Sequence, residues 1–164
     1  MQEAIRQALA AKQAGDYPNG AVLVIGDEIV SAKENRVKRD ESSIAHAEVL
    51  AILDASQKLK SRHLINAILY TTHEPCPLCA ASSVFARLKG IVYGASNEDM
   101  KQFAEKNPDS AHRPRIIDIS CEEIIKQSHA DIEIVKDFMR SACVALLEEI
   151  PTEHIPADET DVKL

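Results

Sequence analysis

Leu69-Tyr70-Thr71-Thr72-His73-Glu74-Pro75-Cys76-Pro77-Leu78-Cys79 decides how the chain folds on paper. From Ala67 to His73 the residues are apolar and β-branched, the composition of a buried strand. Pro75 cannot extend that strand, whereas Pro77 suits the first turn of a helix, where no N–H is needed. Cys76 and Cys79 therefore open a helix that runs to about Leu88, and their spacing of three puts both thiols on one face. The short apolar run from Gly90 to Gly94 returns to the sheet. A strand, a helix and a strand so arranged predict a right-handed parallel unit.

Upstream lies His46-Ala47-Glu48, at the start of a helix expected over Ala45 to Leu59 with Ser42 or Ser43 as its N-cap. His46, Val49, Leu50 and Leu53 form one helical row, and the row of Glu48, Ala51, Ile52 and Ala55 is also largely apolar, so this helix is expected to be buried. His46 and Glu48 would stand about 200° apart on a regular helix, so both reach one point only if His46 sits at the very start. The imidazole, the two thiols and the carboxylate then meet at two helix N-termini. Unpaired N–H groups and the helix dipole favour anions there, which should lower the thiol pKa values.

One histidine and two cysteines are zinc ligands of the usual types, and three protein ligands leave a fourth position for water. Glu48 is then placed to carry protons as a general acid and base. Taken singly, each piece has another use: Cys76 and Cys79 also fit structural zinc or a redox pair, and His46 also fits a half-buried core histidine. The joint pattern favours hydrolysis, and it resembles the zinc-deaminase signature, which implies expulsion of ammonia from an amino-substituted C=N carbon.

The remaining chain supplies a frame. Met1 to Ala14 reads as a helix, and Tyr17-Pro18-Asn19-Gly20 as turn chemistry. Ala21 to Ile25 and Glu28 to Asn35 read as a hairpin turning at Gly26-Asp27. Past Gly94, Asn97 to Arg115 reads as irregular with a short helix near Met100 to Lys106. Helices are expected over Ile117 to Gln127 and Asp137 to Glu149, the latter turning Phe138, Cys143, Leu146 and Leu147 inward, with a strand over Asp131 to Val135 between them. The order implies one domain over residues 1–150, an α/β fold with a sheet of about five strands covered on both faces, and an acidic, frayed tail over 151–164.

The chain has 164 residues, of which 45% are hydrophobic, enough for a real core and unlike a disordered segment. No apolar run could span a bilayer and the N-terminal stretch lacks a signal-peptide core, so a cytoplasmic protein without membrane contact is expected. There disulfides are disfavoured. A net charge of −7 and 4% aromatics argue against phosphate backbones and stacked single strands, so nucleic acid is disfavoured and a small-molecule nucleobase or nucleoside is expected as partner.

Several blocks together resemble the cytidine deaminase-like superfamily: Asn19-Gly20-Ala21-Val22-Leu23-Val24, Asn35, His46-Ala47-Glu48, the stretch from Leu69 to Cys79, and Ala86-Arg87-Leu88-Lys89-Gly90-Ile91-Val92-Tyr93-Gly94-Ala95. The resemblance implies a three-layer α/β/α sandwich around a mixed five-stranded sheet, often assembled as a homodimer. It implies zinc on His46, Cys76 and Cys79 and Glu48 as catalytic proton shuttle, with Asn35 and the backbone N–H of Ala47 holding the ring. Within the superfamily, Glu-Pro-Cys-Pro-Leu-Cys is similar to guanine or guanosine deaminases and to tRNA adenosine deaminases. Ser96-Asn97-Glu98-Asp99-Met100 departs from the Lys-Thr-Gly-Ala-rich stretch of the tRNA branch, and Ile117 to Gln127 loosely resembles a helical segment of the guanine branch. Phe85 stands where that branch can carry a large aromatic, or else in the core. A guanine-type purine is therefore the expected substrate. The alternatives are a tRNA adenosine deaminase and a non-catalytic, zinc-stabilised member of the fold.

Overall fold

The computed structural model describes residues 1–108 and 116–148. Six helices and five strands fall among the described residues: α1 Gln2–Gln13, β1 Gly20–Ile25, β2 Glu28–Glu34, α2 Ala47–Leu59, β3 Ala67–His73, α3 Pro77–Phe85, β4 Gly90–Ala95, α4 Asn97–Lys106, α5 Cys121–Ser128, β5 Glu133–Val135 and α6 Arg140–Glu148. The strands form one sheet in the order β2-β1-β3-β4-β5. β1 is antiparallel to β2 and β3, whereas β3, β4 and β5 run parallel. The sheet is thus mixed and five-stranded, as expected, and β3-α3-β4 is the parallel unit predicted from the Leu69–Cys79 stretch. The tail expected over 151–164 and Glu149 lie outside the described residues.

Side-chain alternation divides the sheet between two helical layers. Ala21, Leu23, Ala67, Leu69, Ile91 and Tyr93 point to one face and pack with Ala47, Ala51 and Ala55 of α2, Ala80 of α3, and Cys121 and Ile125 of α5. On the other face α1 and α6 lie close to the strands because glycines leave room. A Cβ on Gly20 would overlap the Ala4 carbonyl oxygen and stand 2.5 Å from the Ala8 nitrogen, and one on Gly94 would overlap the sulfur of Cys143. Ala4, Ala8 and Ala11 complete the tight seam of α1. Gly20→Ala must push α1 off the sheet, since backbone atoms cannot swing away. We expect it to cost about 3 kcal/mol and to lower Tm by roughly 6–12 °C in a thermal melt.

Several local expectations are corrected. The cap of α2 is His46 itself, with φ −69° and ψ 145°, not Ser42 or Ser43. The buried face of α2 is Ala47, Glu48, Ala51 and Ala55, and Leu53 is 52% exposed, because small residues let this helix sit close against β1 and β2. α3 stops at Phe85, short of Leu88, and Phe85 is 80% exposed, so it is no core residue. α5 starts at Cys121, not Ile117, because the Ser120 hydroxyl accepts the Glu123 N–H at 3.1 Å and caps it there. Phe138 faces solvent, not the core. Left-handed Asp137 and Met139 make a turn in which the Phe138 N–H reaches the Tyr93 carbonyl at 3.0 Å, and α6 begins only at Arg140. Cys143, Leu146 and Leu147 are buried as expected.

Candidate metal centre and its surroundings

The site lies at the carboxyl end of β3, where open α/β sheets commonly place their ligands. Past His73, Glu74 pairs its N–H with the Ala95 carbonyl at 2.7 Å, and the chain then turns through Pro75 into α3. Cys76 is the N-cap of α3, Pro77 opens it, and Cys79 lies in its first turn. Across from them His46 caps α2 in an extended conformation, so its ring leaves the helix axis and the 200° problem disappears.

The Nδ1 of His46 lies 3.6 Å from the sulfur of Cys76 and 3.4 Å from that of Cys79, and the two sulfurs are 3.6 Å apart. A tetrahedral zinc with bonds of about 2.3 Å to sulfur and about 2.05 Å to nitrogen requires S···S near 3.8 Å and S···N near 3.6 Å. The observed triangle fits that ion closely. His46, Cys76 and Cys79 form the one cluster among the described residues whose donor atoms could hold a metal. The His46 ring also bonds to the backbone of Ser43, a contact that orients it toward the sulfurs.

The thiols behave as an unequal pair. The S–H of Cys79, followed by His46, holds Cys76 down to about 4, whereas the contact with Cys76 and burial push Cys79 up. The expected lowering is met at Cys76 and not at Cys79. His46 is raised chiefly by its bond to Cys76.

Glu48 stands in the first turn of α2, 2% exposed, and burial raises its pKa. Thr71 donates its hydroxyl to Oε1 at 3.2 Å, and Asn19 donates Nδ2 to Oε2 at 3.2 Å. Ala47 is the first residue of α2, so its N–H lies in a turn with no intrahelical acceptor. Asn35 follows β2 and pairs its N–H with the Asn19 carbonyl at 2.9 Å. Its Nδ2 donates to Asp16 at 2.6 Å, and Asp16 also accepts the N–H groups of Lys38 and Arg39 at 3.1 Å each. One Asn35 donor is thus committed to a buried carboxylate, leaving its Oδ1 and second N–H for other partners.

Asn19, Thr71, Thr72 and Asp16 were missed as site residues. Two adjacent hydroxyls at the end of an apolar strand, just before Glu-Pro-Cys, were the available signal.

Glu74 is buried and accepts the N–H of Asn97 at 2.9 Å and of Cys121 at 3.0 Å, the first residues of α4 and α5. Ser96 and Asp99 form a capping box on α4, and Arg140 pairs with Asp99. Cys121 and Cys143 are free and buried, and burial pushes them up to about 12 and about 11.

Fold and site together define a deaminase of the cytidine deaminase-like class. A family profile described as MafB19-like deaminase matches residues 1–142, and the chain belongs to that family. The tRNA-specific adenosine deaminase of Bacillus subtilis (strain 168) is 45% identical over 95 residues, 58% of this chain and 59% of that protein. The chain thus spans somewhat under two thirds of that relative. The tRNA-specific adenosine deaminase of Buchnera aphidicola subsp. Schizaphis graminum (strain Sg) is 33% identical over 147 residues, 90% of this chain and 88% of that one.

Among solved structures, one from a study of A-to-I editing by tRNA:A34 deaminases at the wobble position of transfer RNA superposes with a TM-score of 0.73 at 27% identity, covering 89% of this chain and 96% of that one. Guanine deaminase from Bacillus subtilis gives a TM-score of 0.60 at 31% identity, covering 79% and 88%.

The relatives overturn the expectation that nucleic acid is disfavoured, since both are named for tRNA. Net charge is an average over the whole chain and misled for that reason. Part of the negative charge falls on Glu153, Asp158, Glu159 and Asp161, outside the described residues. Ser96-Asn97-Glu98-Asp99, the stretch that departs from the tRNA branch, forms the capped start of α4. Among the described residues no helix is long and apolar enough to cross a membrane.

Proposed function

We propose that the chain is a zinc-dependent hydrolytic deaminase that converts adenosine to inosine in tRNA, at the wobble position. The observation that carries the chemistry is the triangle of His46, Cys76 and Cys79 beside a buried Glu48. Zinc held there would act as the Lewis acid that makes water nucleophilic at neutral pH. Glu48 takes the proton that water gives up and passes it to the ring nitrogen as oxygen bonds to the amino-bearing carbon. It then carries the remaining proton of that oxygen to the amine, and the C–N bond breaks to release ammonia as the oxygen becomes the carbonyl. The Ala47 N–H and the free polar atoms of Asn35 hold the base edge.

Named tRNA deaminases among the relatives support this substrate better than the guanine-type purine expected from sequence. Guanine stands as the second reading, on the 31% identity to the Bacillus subtilis enzyme. Zinc-loaded protein should form inosine in a tRNA carrying adenosine at position 34, read by nucleoside mass spectrometry. Two or more phosphate contacts should weaken tRNA binding about tenfold or more between about 50 and 200 mM salt. Conversion of guanine to xanthine with no inosine formed would reject the tRNA reading.

A further inference from the structure

Glu48 is tethered from outside its own helix. The Gly20 N–H donates to the Thr72 hydroxyl oxygen at 3.2 Å, and the Thr72 hydroxyl donates to Asn19 Oδ1 at 2.8 Å. Asn19 Nδ2 then donates to Glu48 Oε2 at 3.2 Å. An ionised carboxylate only accepts, so the NH₂ of Asn19 faces Glu48 and its Oδ1 is left to accept the Thr72 hydroxyl. A flipped amide would set oxygen against the carboxylate.

Thr71 holds the other carboxylate oxygen at 3.2 Å. Thr71 and Asn19 thus hold opposite oxygens of Glu48, each as a neutral donor. The terminal torsion of a glutamate is broad and roughly two-fold when nothing restrains it. Here two donors on opposite oxygens fix its plane.

We propose that Asn19 is a positioning residue for the deamination, its amide oriented by Thr72 so that it locks the carboxylate plane of Glu48 beside the cluster of His46, Cys76 and Cys79. This rests on Glu48 being the proton carrier. Asn19 is partly buried and 29 residues from Glu48 in sequence, so the contact belongs to the fold and not to the local turn.

The test uses zinc-loaded full-length protein carrying Asn19→Leu, which keeps the volume and removes the donor. We expect kcat to fall about 10- to 100-fold, the range for losing a partner of a site residue, with KM within about twofold and zinc content and Tm unchanged. Thr72→Val frees the amide without touching Glu48 and should lower kcat in the same direction by less. Asn19→Leu should add nothing in a Glu48→Gln background. Should Asn19→Leu fail to fold, Asn19→Ser makes the same comparison.

A second readout needs no turnover. The carboxylate stretch of Glu48, isolated as the infrared difference between wild type and Glu48→Gln without substrate, should shift in Asn19→Leu. A shifted band in a protein that makes no inosine would reject the tRNA reading and support the tether. An unmoved band, an unchanged kcat, or a loss carried by KM would overturn the tether.

Discussion

Glu48→Gln is expected to keep its metal and to lose at least about 10² to 10⁴ of the deamination rate. The side chain keeps its size at a position only 2% exposed, so packing against β3 is not disturbed. None of the three donor atoms of the metal cluster belongs to residue 48, so zinc content measured by elemental analysis should match the wild type. The amide has lost the ability to take and return a proton. It also turns one of its two ends into a donor, so the hydroxyl of Thr71 and the NH₂ of Asn19 can no longer both be accepted. A variant that bound zinc and still made inosine at a near-normal rate would remove Glu48 from the chemistry.

Cys79→Ser should be more damaging, because it acts on the metal and on the fold together. Cys79 is fully buried in the first turn of α3, and its sulfur is within 3.6 Å of both other donors. A hydroxyl is a shorter, harder and far less acidic donor than a thiol, so the site loses one of its two soft ligands. The variant should purify with little zinc and no measurable activity. Ligand binding stabilises a fold by about 4 kcal/mol at a thousand times Kd, which corresponds here to a Tm difference of roughly 8–16 °C. Chelator should therefore lower Tm in the wild type and leave Cys79→Ser almost unmoved. An equal chelator response in both proteins would show that metal is held elsewhere.

The sequence disclosed the residues whose chemistry is local to a motif. Cys76 and Cys79 announce themselves by spacing and by Pro77, and the strand before them by its β-branched run. His46 and Glu48 were legible once a helix start was placed between Ser43 and Val49, although the cap proved to be His46 itself.

Residues whose role comes from tertiary contact were not legible. Asn19 looked like turn chemistry, and Asp16 like an ordinary loop acid, because their partners Glu48, Thr72 and Asn35 lie 29, 53 and 19 residues away. The burial of α2 was overestimated, because two apolar rows on a helix need not both meet the sheet, and Leu53 is 52% exposed. Alanines won that place because the helix can approach closest there. The partner was misjudged because total charge carries no positional information.

The carboxylate of Glu74 carries a consequence for how this site could be re-engineered. It grips the leading amides of both α4 and α5 while its own backbone leads straight into the ligand loop. Two helices and one loop are thereby hinged on a single side chain. A transplant of residues 97–128 from a relative with another substrate would keep its alignment with the metal loop only where its two helix starts still meet that acid. Swaps that ignore this pivot should shift the loop itself, and lose turnover on every substrate instead of exchanging one for another.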